Sequence, residues 1–111
     1  MSTILRPEDL KIQRQGEGWS ETTLADAQVL GAPAMVVRRL SLEPHARGPE
    51  TVHAEREGLL YVIRGSGVAL VGGERLPLEP ETLLWLEAGE RYHLEADEQG
   101  LEVLQGAAPG Q

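Results

Sequence analysis

The chain has 111 residues, a formal net charge of -8 and no cysteine. This length suits one domain with a single core, and the acidic charge disfavours binding to the phosphates of nucleic acids. The lack of cysteine excludes disulfides and thiolate ligands. No apolar run is long enough for a transmembrane helix, and the first residues lack a signal-peptide pattern. We therefore expect one cytoplasmic domain over residues 1–111, without a nucleic-acid or membrane partner.

In chain order, residues 7–10 resemble the start of one helical turn, and the rest predicts an all-β domain. Short apolar segments alternate with turn residues, which favours a small barrel or sandwich. The expected strands are 19–25, 34–43, 59–64, 68–71, 75–78, 83–86, 92–96 and 101–105. Gly72 and Gly73 predict a hairpin turn, and residues 65–67 a second tight connection. The core is expected over about 34–105, with an N-terminal strand at about 18–26 and a tail at 106–111.

The segment "TVHAEREGLLYVIRG" has the spacing of a known metal-binding motif. It resembles the first motif of the cupins, in which His-x-His is followed by a glutamate and then, after six residues, by a glycine. With Gly65 as the closing glycine, Thr51 and His53 take the two histidine positions. Gly58 takes the position of the glutamate.

The second cupin motif has a similar counterpart around "LLWLEAGERYHLEA". With Gly89 as its central glycine, Tyr92 stands at the position of the family's fourth metal ligand, a histidine. The resemblance covers most of the chain. It implies the family's fold, an all-β, cupin-type double-stranded β-helix, which is a small jelly-roll-like barrel.

The resemblance also implies a metal site, but three of its four ligand positions carry Thr51, Gly58 and Tyr92. One imidazole, that of His53, does not hold a divalent ion tightly, because such sites use three or four donors. We therefore predict a barrel without a metal or other cofactor.

A rival interpretation draws on other donors: His53, Glu55, Glu57 and His93 could supply two histidines and a carboxylate for iron, manganese, nickel or zinc. Strand alternation argues against it, because Tyr92 and Leu94 belong inside, which turns His93 outward. Glu57 is likewise on the opposite face from Gly58 if that segment is extended.

Without a metal, the predicted ligand-binding residues are Arg38, Thr51, His53 and Tyr92. Arg38 shares the strand face of the apolar Leu40, so its guanidinium either clamps a carboxylate or phosphate in the barrel or extends to solvent at the open end. His53 and Tyr92 are candidate catalytic residues, because an imidazole and a phenol can act as an acid–base pair.

Three functions stay open, and the sequence does not decide whether the protein is an enzyme. The first is a small-molecule-binding barrel without metal. The second is a metal-dependent dioxygenase or isomerase with unusual ligands, and the third is a metal-independent isomerase or lyase using His53 and Tyr92. We also expect a homodimer with Trp19 or Tyr61 near the interface, although these side chains could instead pack within the same barrel.

Overall fold

The computed structural model describes residues 12–25, 36–52 and 57–107. Within these ranges all regular secondary structure is β, in agreement with the predicted fold class. The strands are β1 (Ile12–Gly16), β2 (Trp19–Ala25), β3 (Val36–Leu42), β4 (Thr51–Val52), β5 (Gly58–Val71), β6 (Glu74–Leu78), β7 (Leu83–Leu86) and β8 (Arg91–Ala107). The described residues include no helix long and apolar enough to cross a membrane. The helical turn expected at 7–10 lies outside them.

Two long strands, β5 and β8, pair antiparallel along almost their whole length. The pairing runs from Gly58 opposite Ala107 to Val71 opposite Tyr92, with register shifts near the middle. At these shifts the two-stranded ribbon bends and folds back on itself. One half of the ribbon therefore belongs to one wall of the barrel and the other half to the opposite wall.

The sequence predicted a turn at 65–67, and this prediction was wrong. These residues continue β5 through the bend instead of ending it. A Cβ atom at Gly65 would collide with the backbone of Gly100, and one at Gly67 with the backbone of Glu95. The two glycines thus let β8 approach β5 more closely than any side chain would permit.

The other strands extend the two walls of the barrel. The first wall has the order β1-β2-β3-β8-β5-β7 and contains the C-terminal half of β8 and the N-terminal half of β5. The second has the order β4-β8-β5-β6 and contains the other halves. The most buried core side chains are Leu40, Leu60, Val62, Ala69, Leu78, Leu86, Tyr92, Leu94 and Val103.

The predicted alternation along β8 is confirmed. Tyr92, Leu94 and Ala96 are buried, whereas on the other face Asp97 is exposed and His93 and Glu95 are half-buried. The hairpin expected at Gly72 and Gly73 also joins β5 to β6. Because side chains alternate strictly along a strand, this fixes which residues face the interior of the barrel.

Several strands differ from the sequence prediction. The predicted strands 59–64 and 68–71 form the single strand β5, and the predicted strands 92–96 and 101–105 form the single strand β8. The short strand β4 was not predicted. β1 was not expected, because "IQRQG" has one apolar residue and no alternating pattern. It forms a hairpin with β2. At the other end, β8 extends to Ala107, two residues beyond the predicted limit.

The bend predicts a specific effect of substitution at Gly67. Gly67→Ala should lower the free energy of unfolding by about 3 kcal/mol, because its methyl group meets backbone that cannot move aside. The melting temperature should fall by at least about 10 °C. Gly48→Ala is the matched control, because the nearest atoms to its Cβ lie 3.5 Å away, an ordinary contact. Equal melting temperatures of the two variants would contradict the role given to the bend.

Candidate functional site

Polar side chains collect on the inner face of the first wall, away from the bend. Thr23, Arg38 and Gln105 are cross-strand partners on β2, β3 and β8. Thr23 and Gln105 are buried, and Arg38 is half-buried. Because directly paired residues in an antiparallel sheet project to the same face, all three line the interior.

The second wall contributes Thr51 and Tyr92, which are partners on β4 and β8. Tyr92 is 1% exposed, and the side-chain amide of Gln105 donates a hydrogen bond of 3.2 Å to its hydroxyl. These two residues lie 13 positions apart on the same strand. In a straight strand they would be about 40 Å apart. Their hydrogen bond therefore crosses the barrel and depends on the folded ribbon.

Glu21 on β2 adds a carboxylate to this region. It is 4% exposed and pairs with Arg14 on β1, with distances of 3.0 Å from Nε to Oε1 and 3.3 Å from Nη2 to Oε2. The Arg14 guanidinium also lies 5.7 Å from the centre of the Trp19 ring. We call this group of residues the polar end of the barrel: Glu21, Thr23, Arg38, Thr51, Tyr92 and Gln105.

The surroundings of Tyr92 keep its phenol neutral. Burial raises the pKa of Tyr92 to about 12, although its hydrogen bonds with Gln105 and Thr51 lower it in part. The Glu21 carboxylate raises the same pKa and the Arg38 guanidinium lowers it, so both charges act on the phenol. At neutral pH the Tyr92 hydroxyl is a hydrogen-bonding group without charge.

Sequence reasoning placed three of these residues at the site, namely Arg38, Thr51 and Tyr92, and missed Glu21, Thr23 and Gln105. Gln105 follows the buried Leu101 and Val103 at intervals of two residues, so strand alternation could have predicted its inward position. β2, "WSETTLA", carries both polar and apolar residues on each face, so alternation alone could not orient it.

The described residues do not fit a divalent metal site at the cupin positions. Gly58 is buried but has no side chain to donate, and Tyr92 is a protonated phenol already hydrogen-bonded. Thr51 donates its hydroxyl to the Pro49 carbonyl oxygen at 3.4 Å. His53, the remaining position, lies outside the described residues.

Two members of the rival donor set, Glu57 and His93, lie within the described residues. Glu57 is exposed, and His93 forms a 3.0 Å contact between its Nε2 and Glu95 Oε2, on the face opposite Tyr92. His53 and Glu55 fall outside the described ranges. Within those ranges no three histidine, aspartate or glutamate side chains come together as a metal site.

Comparison with known proteins gives the family. Residues 32–104 match the AraC-like ligand binding domain. The chain belongs to this family. Its barrel is of the cupin type, as the motif spacing predicted.

One curated relative and two solved structures illustrate the relationship. The chain is 30% identical over 79 residues to the tetracenomycin polyketide synthase protein TcmJ of Streptomyces glaucescens, a match covering 71% of this chain and 53% of that protein. The chain thus spans about half the length of this relative. KdgF from Halomonas sp. superposes with a TM-score of 0.81 at 16% identity, covering 100% of this chain and 96% of the other. The polyketide cyclase RemF of Streptomyces resistomycificus gives 0.78 at 20% identity, covering 100% and 81%.

The raised pKa of Tyr92 predicts how stability depends on pH. The pKa is about 12 in the folded protein against 10.0 for an unperturbed tyrosine. The stability that comes from keeping this phenol neutral is therefore complete below pH 10 and is lost as the pH rises to 12. The loss should reach about 3 kcal/mol. Chemical denaturation across this interval should show the loss in the wild type and a smaller one in Tyr92→Phe. Parallel pH profiles for the two proteins would contradict it.

Proposed function

We propose that the domain binds a small uncharged or anionic organic molecule at the polar end of the barrel, and that it does so without a metal ion. The observation that carries the proposal is the hydrogen bond between Tyr92 and Gln105. It joins the two walls beside Thr51 and Arg38, where the family's metal ligands would otherwise project.

The division of the barrel into apolar and polar parts supports a single small ligand. Towards the bend the interior is filled by leucine, valine and alanine, among them Leu42, Leu94 and Leu101. Among the described inner-face residues, the polar side chains lie only at the end of the barrel away from this apolar part. An apolar cavity with a few convergent polar groups is the usual form of a small-ligand site, and small barrels hold one such ligand.

The relationship to TcmJ favours an organic ligand rich in oxygen. The name of that relative connects it with polyketide synthesis, so phenolic and polycarbonyl compounds belong among the ligands to be tested. Arg38 and the Tyr92 hydroxyl suit carbonyl, carboxylate and phenol oxygens, because they offer hydrogen bonds and a positive charge.

Binding is better supported than acid–base catalysis by His53 and Tyr92. Efficient proton transfer needs a pKa near the working pH. Tyr92 has a pKa of about 12, which makes it a poor proton donor and acceptor at neutral pH. A metal-dependent dioxygenase or isomerase would need both His53 and Glu55 as metal ligands. The described residues give no support for such a metal site.

The proposed site predicts ligand-dependent stabilisation. In a thermal-shift screen of small carboxylates, phenols and sugars, a true ligand at a hundredfold excess over its Kd should add about 2.7 kcal/mol of stability. Thr51→Phe places an aromatic ring at the polar end and should abolish the shift. Val52→Phe, on the exposed opposite face of β4, should retain it. A shift that survives Thr51→Phe would place the ligand elsewhere.

The metal-free part of the proposal has its own measurement. Protein purified without chelator should contain well below one equivalent of iron, manganese, nickel or zinc per chain. One equivalent that is lost in His53→Ala would contradict the proposal. The ligand screen above would then be repeated on the metal-loaded protein.

We also propose a homodimer formed through the outer face of β5 and β7. Tyr61 and Leu83 are cross-strand partners there, and Leu83 and Trp85 are each 55% exposed. Exposed apolar side chains grouped in this way are typical of protein interfaces. Trp19 is not part of this surface, because it packs against the core of its own barrel.

Sedimentation at high micromolar concentration tests the dimer. The wild type should sediment as a dimer, and a Leu83→Ser, Trp85→Ser double variant as a monomer, since the variant removes apolar area from the contact. Ile12→Ser changes an equally exposed residue on β1 and should leave the dimer intact. A monomeric wild type would rule out this assembly.

A further inference from the structure

Two opposite charges lie close together on the inner face of the first wall. Glu21 pairs with Leu40, and Thr23 pairs with Arg38, so Glu21 and Arg38 are diagonal neighbours on β2 and β3. Residues in this arrangement have Cα atoms about 7–8 Å apart. Both charges also influence the Tyr92 phenol, which places their fields at the polar end.

The two charges do not neutralise each other. Among the described residues, Glu21 forms its ion pair with Arg14, and Arg38 takes part in none. Arg38 is half-buried, and an anionic ligand would supply the carboxylate partner that it lacks among the described residues. Arg38 is therefore positioned to receive a negatively charged group.

Glu21 retains capacity to accept further hydrogen bonds. An ionised carboxylate has about four acceptor positions, and Arg14 uses two of them. A ligand hydroxyl could donate to one of the others. Glu21 belongs to β2, outside both cupin motifs, so motif comparison does not single it out.

We propose that the ligand of this domain is a hydroxylated carboxylate, bound with its carboxylate on Arg38 and a hydroxyl on Glu21. This inference rests on the proposed function of the polar end and specifies its ligand class. A carboxylate matches the planar pair of N–H groups of a guanidinium. A doubly charged phosphate is disfavoured, because Glu21 and the net charge of -8 both repel it.

The presence of both groups on the ligand sets the specificity. Glu21 accepts a hydrogen bond from the ligand hydroxyl at a position that Arg14 does not use, and a ligand without that hydroxyl leaves this position unfilled. Compounds with only the carboxylate or only the hydroxyl should therefore bind more weakly than compounds with both.

Titration calorimetry with three matched probes tests this proposal. 4-Hydroxybenzoate has both groups, benzoate has only the carboxylate, and phenol has only the hydroxyl. The wild type should bind 4-hydroxybenzoate at least about tenfold more tightly than either of the others. Gluconate, an aliphatic hydroxylated carboxylate, is titrated alongside in case the site does not accept a ring.

Variants assign each group to its residue. Glu21→Gln should reduce the preference for 4-hydroxybenzoate over benzoate, because an amide oxygen is a weaker acceptor than a carboxylate. It should not weaken benzoate binding, because the variant loses a charge that repels the ligand carboxylate. Arg38→Met should weaken both carboxylates about tenfold or more and leave phenol unaffected. Arg39→Met and Glu102→Gln are the controls, because these residues form their ion pair on the outer face and should alter no affinity.

The Arg14→Gln variant separates recognition by Glu21 from a structural role of the ion pair. It keeps the Glu21 carboxylate, so the preference for 4-hydroxybenzoate should persist. Loss of the preference in Arg14→Gln as well as in Glu21→Gln would show that the pair acts only through structure and would overturn the proposal. So would a wild type that binds neither hydroxylated carboxylate more tightly than benzoate. If other ligands still bind and Thr51→Phe blocks them, the proposed function stands and only the ligand class is wrong.

Discussion

The close backbone contact between β5 and β8 at the bend determines where every other element of the barrel lies. Gly65 and Gly67 allow the backbone of β8 to pass where a side chain would stand. The ribbon then folds back, and residues far apart along β8 meet across the interior. Tyr92 and Gln105 are the clearest case, since only a folded ribbon brings them within hydrogen-bond distance.

The same constraint explains which parts of the structure could be predicted from the sequence. Alternation is a local property, so the inward positions of Tyr92 and Leu94 followed from a few neighbouring residues. The motif spacing also predicted the barrel. The continuation of β5 through 65–67 could not be predicted, because glycine and serine are typical both of a tight turn and of a strand bend, and the partner backbone decides between them.

The polar end was only partly predictable for a related reason. Arg38 has apolar neighbours at alternate positions, which indicated its face. Glu21 and Thr23 share their face with Trp19, but the other face of β2 carries Leu24, so the pattern does not orient the strand. Their orientation depends on the register of β2 against β3. The register between strands that are far apart in the sequence is set by the whole sheet, so it cannot be predicted from the residues of one strand. The pairing of Tyr92 with Gln105 required the same long-range information.

The polar end is difficult to explain by stability alone. Its described buried side-chain polar atoms all have hydrogen-bond partners, so the group is not a defect in the core. A pair of hydrogen-bonded polar groups nevertheless adds little to the free energy of unfolding, because replacing both partners by apolar groups of the same shape can be nearly neutral. Apart from Thr22, the other buried side chains among the described residues are apolar. A phenol, an amide and two opposite charges placed together are better explained by recognition of a ligand with complementary groups.

The loss of the metal-binding side chains is consistent with this recognition. A divalent ion needs several anionic or imidazole donors converging on one point. Gly58 instead has no side chain to donate, and Tyr92 supplies a hydroxyl whose high pKa keeps it neutral. Glu21 and Arg38 are charged, but they have opposite signs. A single cation would be attracted by one and repelled by the other, whereas an elongated molecule with a donor at one end and an anion at the other would satisfy both. The arrangement of charge therefore favours an oriented organic ligand over a metal ion.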